Sequence, residues 1–326
     1  MSKIIVTRKI PGEHINKLKE DNDLWVSSFD RPLTEEELIN NAKGTDFLIS
    51  LLNDHIDGEV MDAIGPSLKL ISNYAVGFDN IDVKAASERG ILVCNTPSDE
   101  VNEAVAEHTW ALLLALTRRI VEANYATKNG AYKGWEPDMF LGSSLNNKTL
   151  GVIGLGRIGT MVSKKASGMG VNILYTKRSP DPEADSNFKF VSMDELLSAS
   201  DFVSLHVPLT DETRHMINHD TLSKMKVGSY LINTARGPIV DEHDLVDSLR
   251  SGHLAGAALD VFDNEPEINP ELIGMENVIL TPHIASATHE ARNKMGELAV
   301  NAIIDVILGK QPSNLVNAEI WDKRRK

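Results

Sequence analysis

A single cysteine, Cys94, stands among the 326 residues, so the chain can form no intrachain disulfide and no cysteine-built metal site, and a reducing compartment fits. Cations are also in short supply. Lys and Arg number 33 against 47 Asp and Glu, and a net charge of -14 argues against any general affinity for nucleic acid or an anionic membrane. The one basic run, Lys323-Arg324-Arg325-Lys326, reads as a solvated tail. The longest apolar run, Ala111 to Leu116, falls far short of the roughly 20 residues that span a bilayer. Ser2-Lys3-Ile4-Ile5-Val6-Thr7 reads as a first strand and lacks the apolar stretch of a secretion signal. No short-period repeat or low-complexity tract is visible. The expectation is a cytoplasmic globular protein of about two domains whose partners are small molecules, not nucleic acid or membrane.

What is present alternates between strand and helix. Lys3 to Thr7, Leu24 to Ser27, Asp46 to Ser50, Leu68 to Ser72 and Ile91 to Cys94 read as strands, with charged segments of helical spacing between most of them. That alternation implies a parallel sheet covered on both faces. A helix predicted from Ser98 to about Arg119 has a serine cap and an acidic first turn, and its apolar second half suits a place between two domains. Residues 120 to 147 read as less regular, with Tyr125, Tyr132, Trp135 and Phe140 set among Gly, Asn and Lys; a packing arm and a simple connecting loop both fit. A second α/β unit follows, and a last helix, about Thr288 to Leu308, ends before Gly309 and Pro312 and is expected to complete the first unit.

The second unit opens on Thr149-Leu150-Gly151-Val152-Ile153-Gly154-Leu155-Gly156-Arg157-Ile158-Gly159. A short apolar strand enters three glycines spaced G-x-G-x-x-G and a helix-compatible segment leaves them, the context of a dinucleotide-binding turn. Gly154 would allow the turn, Gly156 the approach of a pyrophosphate, and Gly159 close packing of helix on strand. The phosphates would meet free N–H groups at the helix N-terminus. A strand-to-helix turn with no ligand is the alternative. Past the next strand the chain reads Tyr175-Thr176-Lys177-Arg178-Ser179, where an NAD site usually carries an acid and an NADP site a cation. No acid occurs until Asp181, so Lys177 and Arg178 point to NADPH, with NADH possible; a solvated turn is the competing reading.

Three further residues each follow a predicted strand, where open α/β sheets bind ligands: Arg236, Glu265 and His283. An Arg can grip a carboxylate with two bonds. A His transfers protons near neutral pH, and a carboxylate beside it would hold the ring and favour its charged form. Each residue type, taken singly, also serves structure. His215 and His219 are spaced i and i+4 but lack an acidic third ligand at a matching spacing, so a surface or capping role is expected and no metal.

The whole pattern resembles the D-isomer-specific 2-hydroxyacid dehydrogenases. The matching pieces run in order: Asn73-Tyr74-Ala75-Val76-Gly77-Phe78-Asp79-Asn80-Ile81-Asp82, Val105-Ala106-Glu107-His108-Thr109, the glycine turn, Leu205-His206-Val207-Pro208-Leu209-Thr210, Asn233-Thr234-Ala235-Arg236-Gly237, Asp260-Val261-Phe262 with Glu265-Pro266, and Pro282-His283-Ile284-Ala285-Ser286. The resemblance implies two doubly wound parallel-sheet domains, a Rossmann cofactor domain at 100–289 inserted in a flavodoxin-like substrate domain formed by 1–99 plus 290–326. It implies that Arg236 binds and polarises a 2-oxoacid, that His283 gives the proton and that Glu265 tunes His283. It further implies that the amides of Val76 and Gly77 grip the substrate carboxylate with Leu52 beside them. Asp260 would orient the nicotinamide amide, and Arg157, Ile158, Val207, Pro208 and Thr234 would line the cofactor.

Within the family the loop at Ala75 to Asn80 and the Leu174 to Arg178 stretch look most like glyoxylate/hydroxypyruvate reductases, a group that often uses NADPH. Relatives in that group place Gly where Lys177 stands, so Arg178 is the firmer phosphate ligand. The expected reaction is reduction of a small 2-oxoacid such as glyoxylate or hydroxypyruvate. Two rivals compete: oxidation of another 2-hydroxyacid such as 3-phosphoglycerate, and a dinucleotide-sensing regulator. The chain runs only about forty residues past His283, little room for the extra domain many phosphoglycerate dehydrogenases carry. A sensor would turn over 2-oxoacids poorly. The family's habit of pairing through cofactor domains makes a homodimer the expectation, with Trp135 reaching the partner's site.

Overall fold

A computed structural model describes residues 1–326. The chain divides into two compact units, Met1–Val101 with Ala287–Lys326, and Asn102–Ser286. In chain order the elements of the first stretch are β1 (Lys3–Val6), α1 (Asn16–Lys19), β2 (Asp23–Val26), α2 (Glu35–Ala42), β3 (Phe47–Leu51), α3 (Gly58–Ile64), β4 (Leu70–Tyr74), α4 (Val83–Glu88) and β5 (Leu92–Cys94). Next come α5 (Asp99–Thr117), α6 (Ile120–Lys128), β6 (Thr149–Ile153), α7 (Arg157–Ala166), β7 (Asn172–Thr176), β8 (Phe188–Phe190), α8 (Met193–Ala199) and β9 (Phe202–Leu205). The last are α9 (His219–Lys224), β10 (Ser229–Asn233), α10 (Glu242–Arg250), β11 (Leu254–Leu259), α11 (Pro270–Ile273), β12 (Val278–Leu280) and α12 (His289–Ile307).

The first unit is a parallel five-stranded sheet in the order β2-β1-β3-β4-β5, the flavodoxin order. Its inner strands are mainly apolar because both faces are covered: Ile4, Ile5, Val6, Leu48, Ile49 and Ile71 are all essentially without exposure. Helices begin where a side chain satisfies the free N–H groups of the first turn, as Asp57 does for α3 and Asp82 for α4, and α2 opens with a reciprocal Thr34/Glu37 capping box. Helix α12 returns to this unit and is fastened to β4, where Ser72 Oγ donates to Ala299 O (2.9 Å) and Tyr74 Oη to Arg292 O (2.7 Å).

The second unit is a parallel seven-stranded sheet, β12-β11-β10-β9-β6-β7-β8. Counted from β6 this is the Rossmann order with one strand added, and its reversal point lies between β6 and β9. Alternate residues feed two cores. Leu231 and Ala257 join Leu205 and Leu245 on one face, while Ile232 and Ala258 join Trp110, Leu113 and Leu150 on the other. The apolar half of α5 is thereby accounted for within this unit, and Trp110 Nε1 donates to Val162 O (3.0 Å) on α7. No helix is long and apolar enough to cross a membrane.

Residues 120–128, read from the sequence as irregular, form helix α6. None of its residues is buried, so no apolar stripe marks it, and it starts after Arg119 in a left-handed conformation (φ 52°) that breaks the line of α5. The short β8, α9 and α11, of 3, 6 and 4 residues, are further elements that the sequence pattern does not mark.

Candidate active site

The glycine turn lies where β6 meets α7. Gly154 has φ 97°, and a Cβ there would come within 2.6 Å of His206 O. At Gly159 a Cβ would lie 2.1 Å from Gly154 O, so only glycine lets α7 rest on the turn. Gly156 differs, because a Cβ there would meet nothing within 4 Å. It is the N-cap of α7, supplies no side-chain cap, and leaves open space at the positive end of the helix. These residues fit a dinucleotide pyrophosphate: the turn is forced by packing at Gly154 and Gly159, and room for a ligand is kept at Gly156. Arg157 and Ile158 form the first turn of α7.

Gly154 N donates to Thr176 O (2.9 Å), which sets the end of β7 beside the turn. Lys177 Nζ is held by Asp181 (2.8 Å), the first acid in the sequence after this strand, so the lysine is already engaged. Arg178 is exposed and close enough to Glu212 to help hold that carboxyl below its usual range, after the larger effect of the Thr210 hydroxyl. At the end of β9, His206 Nε2 meets Ser204 Oγ (2.8 Å), and burial pushes its imidazole down to about 4. Val207 Cγ1 would lie 2.8 Å from a Cβ at Gly154, while Pro208 O accepts from Thr213 Oγ1 (2.7 Å).

The loop after β10 is shaped by Asn233, whose Nδ2 donates to Arg236 O (2.9 Å) and whose Oδ1 accepts from Ala235 N (3.0 Å). Thr234 Oγ1 lies 3.0 Å from Thr109 Oγ1 of α5. A Cβ on Gly237 would be 1.8 Å from Phe262 O, so the loop bearing Arg236 presses directly on the loop after β11. In that second loop Asp260 is fully buried. Its carboxylate accepts from Thr281 Oγ1 (2.6 Å), Ile284 N (2.9 Å) and Ala285 N (2.7 Å), with His108 Nε2 at 3.5 Å. These donors outweigh burial and keep the carboxyl below its ordinary range. Asp260 therefore anchors the segment that carries His283, whose own N donates to Asp260 O (2.8 Å) and whose φ is 53°.

Held in this way, His283 Nδ1 meets Glu265 Oε2 at 2.8 Å. Glu265 Oε1 in turn accepts from Phe262 N (3.0 Å). With Nδ1–H donated to the carboxylate, Nε2 is the nitrogen left to exchange a proton with a ligand. Both side chains keep about a quarter of their surface, 25% and 23%, so the pair is reachable. A cavity of about 420 Å³ lined by Leu116, Arg119, Tyr230 and Glu276 opens at the amino ends of β10 and β11, the wrong end of the strands for these groups.

In the first unit Val76 and Gly77 follow β4. Their carbonyls are tied back by asparagines, Val76 O by Asn95 Nδ2 (2.7 Å) and Gly77 O by Asn73 Nδ2 (3.0 Å). Leu52 is half-buried just past β3. Asn95 and Thr281 lie outside the matching motif pieces, and Asn73 and Asn233 head two of them; the sequence signal common to all four is a polar residue closing or following a mainly apolar strand. His215 adopts φ 49° with Asp241 at 3.7 Å, His219 is the first residue of α9, and no cluster of His, Cys, Asp or Glu could hold a metal ion.

Comparison with known proteins agrees with this layout. Residues 110–285 match the model of the D-isomer specific 2-hydroxyacid dehydrogenase NAD-binding domain. A glyoxylate reductase of Thermofilum pendens is 50% identical over 328 residues, covering 99% of this chain and 96% of its own. A solved structure from Thermus thermophilus superposes with a TM-score of 0.90 at 42% identity, covering 96% of this chain and 99% of its own. The NADPH-dependent glyoxylate/hydroxypyruvate reductase of Sinorhizobium meliloti, solved with NADP and malonate, gives a TM-score of 0.88 at 32% identity over 100% of this chain and 99% of its own. A Rossmann sheet with a glycine turn open to phosphate, a carboxylate-held histidine beyond its last strands, and half-identity over the full length place this chain among the NAD(P)-dependent D-isomer-specific 2-hydroxyacid dehydrogenases.

Proposed function

We propose that the protein reduces glyoxylate to glycolate, accepts hydroxypyruvate as a second 2-oxoacid, and prefers NADPH to NADH. The observation that carries the chemistry is the His283–Glu265 contact of 2.8 Å beside the Arg236 loop. A bound reduced nicotinamide supplies hydride for the substrate's carbonyl carbon. Glu265 fixes the imidazole through Nδ1, so Nε2–H faces outward to protonate the oxygen as it gains charge. Arg236 polarises that carbonyl, and the N–H groups of Val76 and Gly77 hold the carboxylate. Half-identity to a glyoxylate reductase supports the substrate, over the phosphoglycerate and sensor alternatives.

For the cofactor, Arg178 is the residue proposed to meet the 2′-phosphate, since Lys177 is engaged by Asp181. The Sinorhizobium relative's use of NADPH supports the preference. We expect a homodimer formed through the arm at 120–147, where Ile120, Tyr125, Tyr132, Trp135 and Leu141 are more than half exposed in the single chain. Sedimentation giving only a 35.8 kDa monomer at micromolar concentration would contradict it. A cytoplasmic setting suits Cys94, which is buried and whose thiol burial pushes up to about 12. Steady-state rates with glyoxylate, hydroxypyruvate, pyruvate and phosphohydroxypyruvate, each with NADH and NADPH, test the proposal. Glyoxylate with NADPH should give the highest kcat/KM, and Arg178→Ala should erase the cofactor preference. Faster turnover of phosphohydroxypyruvate, or an NADH preference in wild type, would refute it.

A further inference from the structure

Asn80 lies in the loop after β4 and reaches across to the loop after β3. Its Nδ2 donates to Asp54 O (2.9 Å) and Leu51 O (3.1 Å), while its Oδ1 accepts from Asn73 Nδ2 (2.9 Å). Asn73 is fully buried, its second Nδ2 hydrogen goes to Gly77 O (3.0 Å), and its Oδ1 accepts from Ser50 Oγ (3.0 Å). The far loop is closed by Asp54, which accepts from Leu51 N (2.7 Å) and Thr7 Oγ1 (2.5 Å). The amide of Asn80 is thus the shared member of two sets of bonds. One shapes Leu51 to Asp54, the other shapes Val76 to Asn80. Both of its side-chain ends are used, so no other acid or amide could replace it without leaving a carbonyl or an Nδ2 hydrogen unpaired.

We infer that Asn80 is a positioning residue for substrate affinity: by pinning the loop of Leu52 to the loop of Val76 and Gly77, it fixes the direction of the two N–H groups that receive the substrate carboxylate. The inference rests on the reading in which Val76 and Gly77 bind that carboxylate. Asn80 touches neither substrate nor cofactor in this scheme. Its loss should therefore be felt in KM for a carboxylate substrate and not in the proton transfer at His283. Asn95, which holds Val76 O from the other side, makes the same argument independently of Asn80.

The test uses the full-length enzyme with NADPH, comparing glyoxylate with glyoxylamide, which keeps the aldehyde and lacks the carboxylate. In Asn80→Ala and in the near-isosteric, uncharged Asn80→Leu, both of which remove the donors and the acceptor, KM for glyoxylate should rise about tenfold or more, the effect of roughly one misplaced hydrogen bond. The kcat and the Kd for NADPH should stay within about threefold, and rates with glyoxylamide should be unchanged. If Asn80→Ala does not fold, Asn95→Ala carries the same expectation. An equal loss on both substrates, or an unchanged KM, overturns the role of Asn80 while wild-type preference for glyoxylate leaves the carboxylate reading intact. Wild type that does not distinguish glyoxylate from glyoxylamide overturns both.

Discussion

Replacing Gly156 by Ala should separate cofactor binding from folding. The backbone there is extended (φ -93°, ψ -159°), a conformation open to any residue, and the added methyl meets no protein atom within 4 Å. In the free protein the substitution should be neutral or stabilising by about 0.4–1 kcal/mol, because the unfolded chain loses freedom and the folded one suffers no clash. The same methyl projects into the open space at the N-terminus of α7, where a phosphate must approach the backbone to reach the N–H groups. A phosphate pushed out by even part of a methyl diameter loses at least one charge-assisted bond of about 1.5–3 kcal/mol, so Kd for NADPH should rise by roughly 10- to 150-fold. Gly159→Ala is the counterpart: its methyl would sit 2.1 Å from Gly154 O, and the overpacking should cost about 1–3 kcal/mol in the free protein. Denaturant unfolding of the apo forms and fluorescence titration with NADPH measure both quantities. Wild-type affinity in Gly156→Ala would refute the assignment of that space to the pyrophosphate, and so would a destabilised apo protein.

His283→Ala should lower kcat for glyoxylate by at least about a hundredfold with Kd for NADPH retained, and near-normal turnover would remove it from the mechanism. Glu265→Gln should lower kcat for glyoxylate by about tenfold or more with Kd for NADPH retained, since the carboxylate that receives His283 Nδ1–H at 2.8 Å and fixes the ring is gone; a wild-type kcat would break the pairing. His206 stays neutral in the folded state until about pH 4, against 6.5 ordinarily, so the unfolded chain takes up its proton first as pH falls. The stability it leaves intact above 6.5 is then lost on the way to 4, amounting to about 2 kcal/mol by pH 5. Urea midpoints at pH 7 and pH 5 should show this loss in wild type and a smaller one in His206→Gln, and equal losses would count against a neutral ring at this half-buried position.

The strands were legible because a sheet buried on both faces needs unbroken apolar runs such as Ile4-Ile5-Val6, and the glycine turn because only glycine survives at Gly154 and Gly159. Arg236, Glu265 and His283 could be found by their place after strands. Their assembly could not be derived from spacing alone, since Glu265 and His283 are 18 residues apart and meet only because β11 and β12 are neighbours and Asp260 anchors the second loop. The engagement of Lys177 by Asp181 was equally hidden. Both residues were visible in the sequence, but the turn that folds one onto the other belongs to backbone geometry. Helix α6 escaped notice because a helix with no buried face leaves no periodic trace.

The return of α12 to β4 also sets a timetable for synthesis. Ala291, Met295, Ala299, Val300 and Ile303 cover their sheet only after the intervening unit, Asn102–Ser286, has been translated. At about 5–20 residues per second that delay lasts on the order of 10–40 s, during which the nascent first unit has five parallel strands and lacks the helix that closes over β4. The second unit is continuous in sequence and can fold as soon as it emerges. On the ribosome the order of completion is therefore the reverse of the order of appearance, and the earliest residues made are the ones that wait longest with apolar surface uncovered.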